Sequence, residues 1–93
     1  MFIFARFDPQ AGREAEVRGA LEAVLEPTQA EPGCVRIHLY ESIRDTKCFF
    51  VHSEWKDEAA FDAHVHLPHT QRMIEIVSPL LTHPLRAIQT RQI

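Results

Sequence analysis

Residues 54–69, EWKDEAAFDAHVHLPH, join the end of a predicted strand to a predicted helix and carry the strongest structural signals in the chain. Asp57 is a good N-cap, because its side chain can accept a hydrogen bond from a free amide of the first helical turn. Pro68 should interrupt the helix, since the residue before a proline disfavours the helical conformation. The segment is expected to bring four side chains close together: Trp55, Phe61, His64 and His69.

The chain before this segment begins with a predicted strand and a predicted helix. Phe2–Phe7 is a short apolar run that the turn-forming pair Asp8-Pro9 closes, which indicates a strand. In residues 12–25 the apolar side chains recur at helical spacing, with acidic and basic residues on the other side. Pro27 is expected to end that helix, because proline removes a hydrogen bond from a helix interior.

A hairpin, a second helical segment and a last strand complete the pattern. Residues 33–40 and 48–55 predict two strands around a polar turn at 44–47. In the first of these strands one face should carry Val35, Ile37 and Leu39 and the other Arg36, His38 and Tyr40. A helix is expected after Pro68 to about residue 81, then a strand over residues 85–90. The order β-α-β-β-α-β is the α+β, ferredoxin-like arrangement.

Length and composition limit the classes of protein that the chain can represent. Its 93 residues predict one domain spanning residues 1–93. The net charge of -3 and the scattered basic residues argue against nucleic acid as a partner. No apolar run approaches the roughly 20 residues of a membrane span, and the N-terminal residues lack the features of a signal peptide. We therefore expect no membrane association and a cytoplasmic location.

The alternation of the strands predicts a homodimer. Two helices can cover only one face of a four-stranded sheet, so the other face would remain in contact with water. Four aromatic side chains would lie on that face: Phe2, Phe4, Tyr40 and Phe50. This apolar patch is larger than monomers normally expose, and packing two sheets face to face would bury it. His38 and His52 should face the same dimer interior as structural polar groups.

The order of these motifs resembles a known family. Glu31-Pro32-Gly33-Cys34 precedes a strand, and E-W-x-D-E-A-A-F-x-x-H and then L-P-H follow in the segment quoted above. This order, over residues 2 to about 91, resembles the antibiotic biosynthesis monooxygenase family of small oxygenases that use no cofactor. The resemblance implies a dimeric α+β barrel whose partners are a small-molecule substrate, molecular oxygen and a second copy of the chain.

Oxygenation without a cofactor requires a base, a dry aromatic pocket and donors for a developing oxyanion. His64 is the predicted acid/base residue, because an imidazole can accept and return a proton near neutral pH. The predicted substrate-binding residues are Phe7, Ile37, Trp55, Phe61 and His69. The alternative is that His64 and His69 are partly exposed residues at helix ends and that Trp55 belongs to the core.

The sequence also suggests a metal site, a disulfide and haem degradation, and it argues against each. His64, His66 and His69 resemble a metal-binding cluster, but positions i and i+2 of a helix point about 200° apart, so no metal site is expected. Cys34 and Cys48 could pair on spacing alone, although free thiols are favoured in a cytosolic protein. Haem-degrading relatives carry an Asn on the first strand and a Trp on the second helix. This chain has no Asn, and His64 occupies the Trp position, so haem degradation is not expected.

The sequence therefore predicts a cofactor-independent monooxygenase that acts on a small aromatic, quinol-like or polyketide-like substrate. Two other functions remain open from the residues alone. One is a dimeric barrel that binds a small ligand without catalysis. The other is an isomerase of a small oxygenated metabolite, which would use the same histidines as acid and base without oxygen.

Overall fold

The computed structural model describes residues 1–44 and 47–93, in which a four-stranded antiparallel sheet packs against three helices. The strands are β1 (Phe2–Phe7), β2 (Cys34–Glu41), β3 (Phe49–Trp55) and β4 (Arg86–Thr90), in the spatial order β2-β3-β1-β4. The helices are α1 (Glu14–Gln29), α2 (Glu58–Val65) and α3 (Pro68–Val77), and a 3-10 turn follows at Ser78–Leu80. This confirms the predicted ferredoxin-like α+β fold.

The sheet has an inner face and an outer face, and the side chains of β1, one of its two central strands, alternate between them. Ile3, Ala5 and Phe7 are buried, whereas Phe4 and Arg6 between them are exposed. The inner face forms the core with the helices. The larger cluster of buried side chains consists of Ala5, Phe7, Val17, Leu21, Phe49, Val77 and Leu81. A smaller cluster lies at the other end of the strand and consists of Ile3, Trp55 and Phe61. The alternation predicted for β1 is confirmed.

The first helix is longer than the sequence predicts. The expectation that Pro27 ends it is wrong, because α1 continues through Pro27 to Gln29. An interior proline costs about 3 kcal/mol in a helix, so other contacts must hold this turn. Thr28 is fully buried, and the Gln29 side chain donates to the carbonyl of Val35 and accepts from the amide of Ile37, both at 3.3 Å.

The start of β2 departs from simple alternation. A β-bulge lies between Cys34, which pairs with Trp55, and Arg36, which pairs with Glu54. Val35 is the extra residue of the bulge and is exposed, so its predicted place on the face of Ile37 is wrong. The polar turn predicted at 44–47 includes residues 45 and 46, which lie outside the described part of the chain.

The cysteines and the second helical segment follow the predictions. Cys34 and Cys48 lie at opposite ends of the hairpin and are both free.

The Asp57 side chain accepts from the amide of Ala60 at 2.8 Å and caps α2. Pro68 is the first residue of α3, where its missing amide hydrogen has no cost. Within residues 1–44 and 47–93 no helix is long and apolar enough to cross a bilayer.

Gly33 packs tightly against α2. It is buried just before β2, and its carbonyl accepts from the amide of Lys56 at 3.0 Å. A Cβ atom at this position would overlap with the Cβ of Ala60. The position therefore requires glycine because of a neighbouring side chain rather than because of an unusual backbone angle.

We expect Gly33→Ala to lower the free energy of unfolding by about 1–3 kcal/mol, the usual cost of overpacking a core. Gly19→Ala is the matched control, because Gly19 lies in α1 with nothing within 4 Å of an added Cβ. That control should gain about 0.5–1 kcal/mol from its better helix propensity. Urea denaturation of both variants measures the difference. Equal stability of the two would show that α2 yields freely at Ala60.

Candidate active site

Glu31 occupies a tight turn between α1 and β2. Its amide donates to the carbonyl of Thr28 at 3.0 Å, and its own carbonyl accepts from the amide of Cys34 at the same distance. Both ends of the residue are therefore fixed by backbone hydrogen bonds. Its side chain is only 9% exposed and points toward the helices that follow β3.

Two histidines meet the same oxygen of Glu31. The Nδ1 of His64, near the end of α2, lies 2.7 Å from Oε2 of Glu31. The Nε2 of His69, in the first turn of α3, also lies 2.7 Å from that oxygen. The His64 side chain is 11% exposed and the His69 side chain 26% exposed. The arrangement is a buried carboxylate that orients one buried and one half-buried imidazole.

The surroundings of His64 are aromatic on one side and polar on the other. Its ring centroid lies 4.6 Å from that of Trp55 and 5.7 Å from that of Phe61. Thr70 Oγ1 lies 3.2 Å from Nδ1. Trp55 is almost fully buried and donates from Nε1 to the hydroxyl of Ser53 at 3.0 Å, so it forms a wall behind His64.

Burial sets the protonation of His64. The low-dielectric surroundings lower the pKa of His64 below its usual value, and Glu31 opposes this by raising it. The net shift is downward, so burial favours the neutral form of His64. A carboxylate can only accept a hydrogen bond, and the proton of the neutral ring is therefore assigned to Nδ1. The remaining ring nitrogen, Nε2, is then the basic one.

A cavity of about 250 Å³ lies between the inner face of the sheet and the helices. Of the residues that the sequence predicts for the site, four line it: Phe7, Ile37, Phe61 and His64. Trp55 and His69 are not among the lining residues, although both contact His64 or its carboxylate partner. His69 instead borders a groove between α1 and α3. The six predicted residues thus lie in one region of the fold. Four line the cavity, and Trp55 and His69 contact His64 or Glu31 from outside it.

Sequence reasoning missed three polar residues of this region. The sequence singles out Glu31 only as part of the E-P-G-C motif, and it indicates no role for Thr28 or Thr70. Glu31 is 33 residues from His64 in sequence, so no local pattern indicates their contact. The signal available in the sequence is the position of Glu31 in the E-P-G-C motif, two residues before Gly33.

The same cluster has the composition of a metal-binding site. One ligand atom each from Glu31, His64 and His69 lies within 4.8 Å of the others, and two histidines with one carboxylate can bind a divalent transition metal. His66 is exposed and lies outside the cluster, so the carboxylate replaces the third histidine that the sequence suggested. The two contacts of 2.7 Å to Oε2 of Glu31 also give each of the three side chains a direct hydrogen bond, without a metal.

The outer face of the sheet forms a second apolar surface. Its exposed side chains are Phe4, Tyr40, Phe50 and Ile88, with exposed fractions of 52%, 52%, 39% and 45%. They border a concavity of about 770 Å³ together with His52, whose ring lies 4.7 Å from that of Phe4. His38 pairs with His52 across β2 and β3, so both predicted outer-face histidines lie on this surface.

Comparison with known proteins gives a consistent family. The profile described as "Antibiotic biosynthesis monooxygenase" matches residues 1–76. The protein Rv0793 of Mycobacterium tuberculosis, a candidate monooxygenase by name, is 34% identical over 83 residues, which cover 89% of this chain and 81% of the relative. Its solved structure superposes with a TM-score of 0.92, covering 99% of this chain and 93% of that one.

Two further solved structures share the fold at lower identity. One, described as an antibiotic biosynthesis monooxygenase, has a TM-score of 0.91 and 21% identity, covering 99% of this chain and 97% of that one. PA3566 of Pseudomonas aeruginosa has a TM-score of 0.90 and 24% identity, covering 99% and 92% of the two chains.

We expect NMR titration to give His64 a pKa below the value of about 6.5 for an unperturbed imidazole. Glu31→Gln should lower that pKa further, because it removes the charge that favours the imidazolium. Glu58→Gln, an exposed carboxylate in the first turn of α2, is the matched control and should leave the His64 titration unchanged.

The same shift has a consequence for folding stability. Folding favours neutral His64, so this contribution to stability is fully present above about pH 6.5 and is lost as the pH falls through the folded pKa. The difference in unfolding free energy between wild type and His64→Gln should narrow over that range. A His64 pKa at or above 6.5 would contradict the assignment.

Proposed function

The chain belongs to the antibiotic biosynthesis monooxygenase family, and from that premise we propose that it is a cofactor-independent monooxygenase acting on a small aromatic, quinol-like substrate. The observation that carries the proposal is the 2.7 Å hydrogen bond between Glu31 and His64 at the wall of a largely apolar cavity. It supplies a neutral base in surroundings with little water, which is what deprotonation of a phenol requires.

His64 acts as the base in this proposal. Its Nδ1–H is held by Glu31, which leaves Nε2 to accept a proton from a substrate hydroxyl in the cavity. The resulting imidazolium gains stability from the carboxylate 2.7 Å away, as in other pairs where an acidic residue orients a histidine. The same ring can return the proton when the product forms.

The substrate supplies the electrons that oxygen needs. A deprotonated quinol is electron-rich and can transfer electrons to O2. One oxygen atom then forms a new C–O bond with the ring, and the O–O bond breaks. Overall, hydroquinone and O2 give hydroxybenzoquinone and water, so one oxygen atom enters the ring and the other leaves as water. The protein contributes proton transfer and a cavity wall of Phe7, Ile37 and Phe61 that excludes bulk water.

His69 is a positioning residue in this scheme. It does not line the cavity, but it contacts the same Glu31 oxygen as His64. A second hydrogen bond restricts the carboxylate to one orientation, and the carboxylate in turn restricts the imidazole of His64. Loss of His69 should therefore loosen the base without removing it.

The outer face of the sheet supports a homodimer. The four exposed apolar residues on it, Phe4, Tyr40, Phe50 and Ile88, form one continuous surface across all four strands. Such a surface is costly in water, and a second copy of the chain offers a matching surface of the same kind. We propose that two sheets pack face to face and that each subunit keeps its own inner cavity.

His64→Ala should lower the rate of quinol-dependent oxygen consumption by roughly 100-fold or more, because general-base catalysis is lost. His66→Ala is the matched control, since His66 is an exposed neighbour on the same helix end. His69→Ala should reduce the rate less than His64→Ala does. An oxygen electrode with a panel of quinols provides the measurement.

Chelation and four distinct outcomes of this experiment separate the candidate functions. Exhaustive chelation should leave the rate unchanged, and a loss restored by a divalent metal would assign Glu31, His64 and His69 to metal binding instead. Full activity of His64→Ala on a verified substrate would end its catalytic assignment. Conversion of a substrate without oxygen consumption would favour the isomerase, and binding without turnover would favour a non-catalytic barrel.

Phe4→Asp should dissociate the dimer, because the new carboxylate would be buried without a partner at the centre of the sheet interface. Ile76→Asp is the matched control, since Ile76 is similarly exposed but lies on α3 away from the outer face. Sedimentation velocity at micromolar concentration distinguishes the two species. A wild-type monomer, or a Phe4→Asp variant that sediments as a stable dimer, would refute the proposed interface.

A further inference from the structure

Among the described residues, one buried hydroxyl group beside the cavity near His64 has no hydrogen-bond partner. Its polar lining residues are Thr28, Ser53, His64 and Thr70. The Ser53 hydroxyl accepts from Trp55, and the Thr70 hydroxyl contacts Nδ1 of His64. Among the side chains of residues 1–44 and 47–93, Thr28 Oγ1 is the buried polar atom without a partner.

Thr28 is fixed in this position by the fold. It is completely buried in the last turn of α1, between the helix-interior Pro27 and Gln29, which is hydrogen-bonded to β2. Burying a hydroxyl without a partner is unfavourable, and native proteins do so rarely. A lone hydroxyl next to a cavity that the proposed base also lines is a group whose missing hydrogen bond a ligand hydroxyl could supply.

The volume and lining of the cavity limit what that ligand can be. A cavity of roughly 150 Å³ holds benzene, and drug-sized ligands occupy roughly 300–1,000 Å³. The cavity here, about 250 Å³, is suited to one substituted ring or two fused rings. Among the described residues, no lysine, arginine, aspartate or glutamate lines it, so a charged ligand would lose its hydration without gaining a counter-charge.

We propose that the cavity selects a neutral one-ring or two-ring aromatic diol, with one hydroxyl at Nε2 of His64 and the other at the hydroxyl of Thr28. This inference rests on the proposed function for the identity of the site, and it adds a specificity-determining residue and a narrower substrate class. The volume favours one or two rings over larger polycyclic substrates, and the uncharged lining disfavours aromatic carboxylates. Thr28 binds the hydroxyl that His64 does not deprotonate.

The test compares ligands that differ by one hydroxyl. Anaerobic calorimetry would measure hydroquinone against phenol and 1,4-dihydroxynaphthalene against 1-naphthol. Wild type should bind each diol at least tenfold more tightly than its mono-hydroxyl partner. Thr28→Val keeps the shape of the side chain but removes the hydroxyl, and it should reduce that ratio to within about twofold of unity. Thr28→Ser keeps the hydroxyl and should retain most of the preference.

Folding of the variants is checked by their melting temperatures. Thr28→Val should melt at or above the wild-type temperature, because it removes an unsatisfied buried hydroxyl. A melting temperature clearly below wild type would show that the hydroxyl already has a partner, such as a buried water, and would overturn the inference. A diol preference that Thr28→Val retains would also overturn it, as would equally tight binding of three-ring diols.

The outcome for binding is separable from the outcome for catalysis. Diol-selective binding that depends on Thr28 without oxygen consumption would sustain the ligand class and reject the monooxygenase. Oxygen consumption with quinols but no Thr28-dependent preference would reject the ligand contact and leave the monooxygenase in place. Failure of wild type to bind any diol in the panel would reject the substrate class.

Discussion

A four-stranded sheet with helices on only one side imposes the main constraint on this molecule. The side chains of each strand must divide between a face that the helices bury and a face that they leave open. In β1 this division is strict, with Ile3, Ala5 and Phe7 buried and Phe4 exposed. The inner face provides both the core and the small cavity, and the outer face provides the apolar surface. Both proposed properties, ligand binding and self-association, thus follow from one architectural fact.

The site depends on a break in the helical segment as much as on the residues it carries. On a continuous helix, His64 and His69 would point about 140° apart, since successive residues turn by about 100°. The chain leaves helical geometry between Val65 and Pro68 and resumes in α3, so that both imidazoles reach one oxygen of Glu31. Pro68 therefore helps to set the geometry of the candidate site.

The sequence predicted the features that local physics controls. Strand alternation, the Asp57 cap and the helix start at Pro68 each depend on residues within a few positions of one another, and all three were found. The features it missed depend on distant contacts. The helix continues through Pro27 because Gln29 bonds to β2, and Val35 is displaced by a bulge that no alternating pattern reveals.

The same distinction between local and distant contacts applies to the residues of the candidate site. His64 could be selected from its place in a motif, because a buried helix end next to a strand that carries Trp55 is a local arrangement. Glu31 and Thr28 could not, because their importance comes from what they meet across the fold: two histidines in one case and an otherwise apolar cavity in the other. Carboxylates and threonines are common in sequences, and only their surroundings distinguish these two.

The close approach of Gly33 to Ala60 has an evolutionary consequence. The space between these positions admits one methyl group, so the two residues should vary together among relatives and a change at one should be tolerated only with compensation at the other. Glu31 stands two residues before Gly33, and this shared volume therefore also sets how near the carboxylate lies to α2. Selection for a correctly oriented imidazole would then also act on Gly33 and Ala60, although neither has a role in the proposed chemistry. Substitutions at the two positions should therefore occur together.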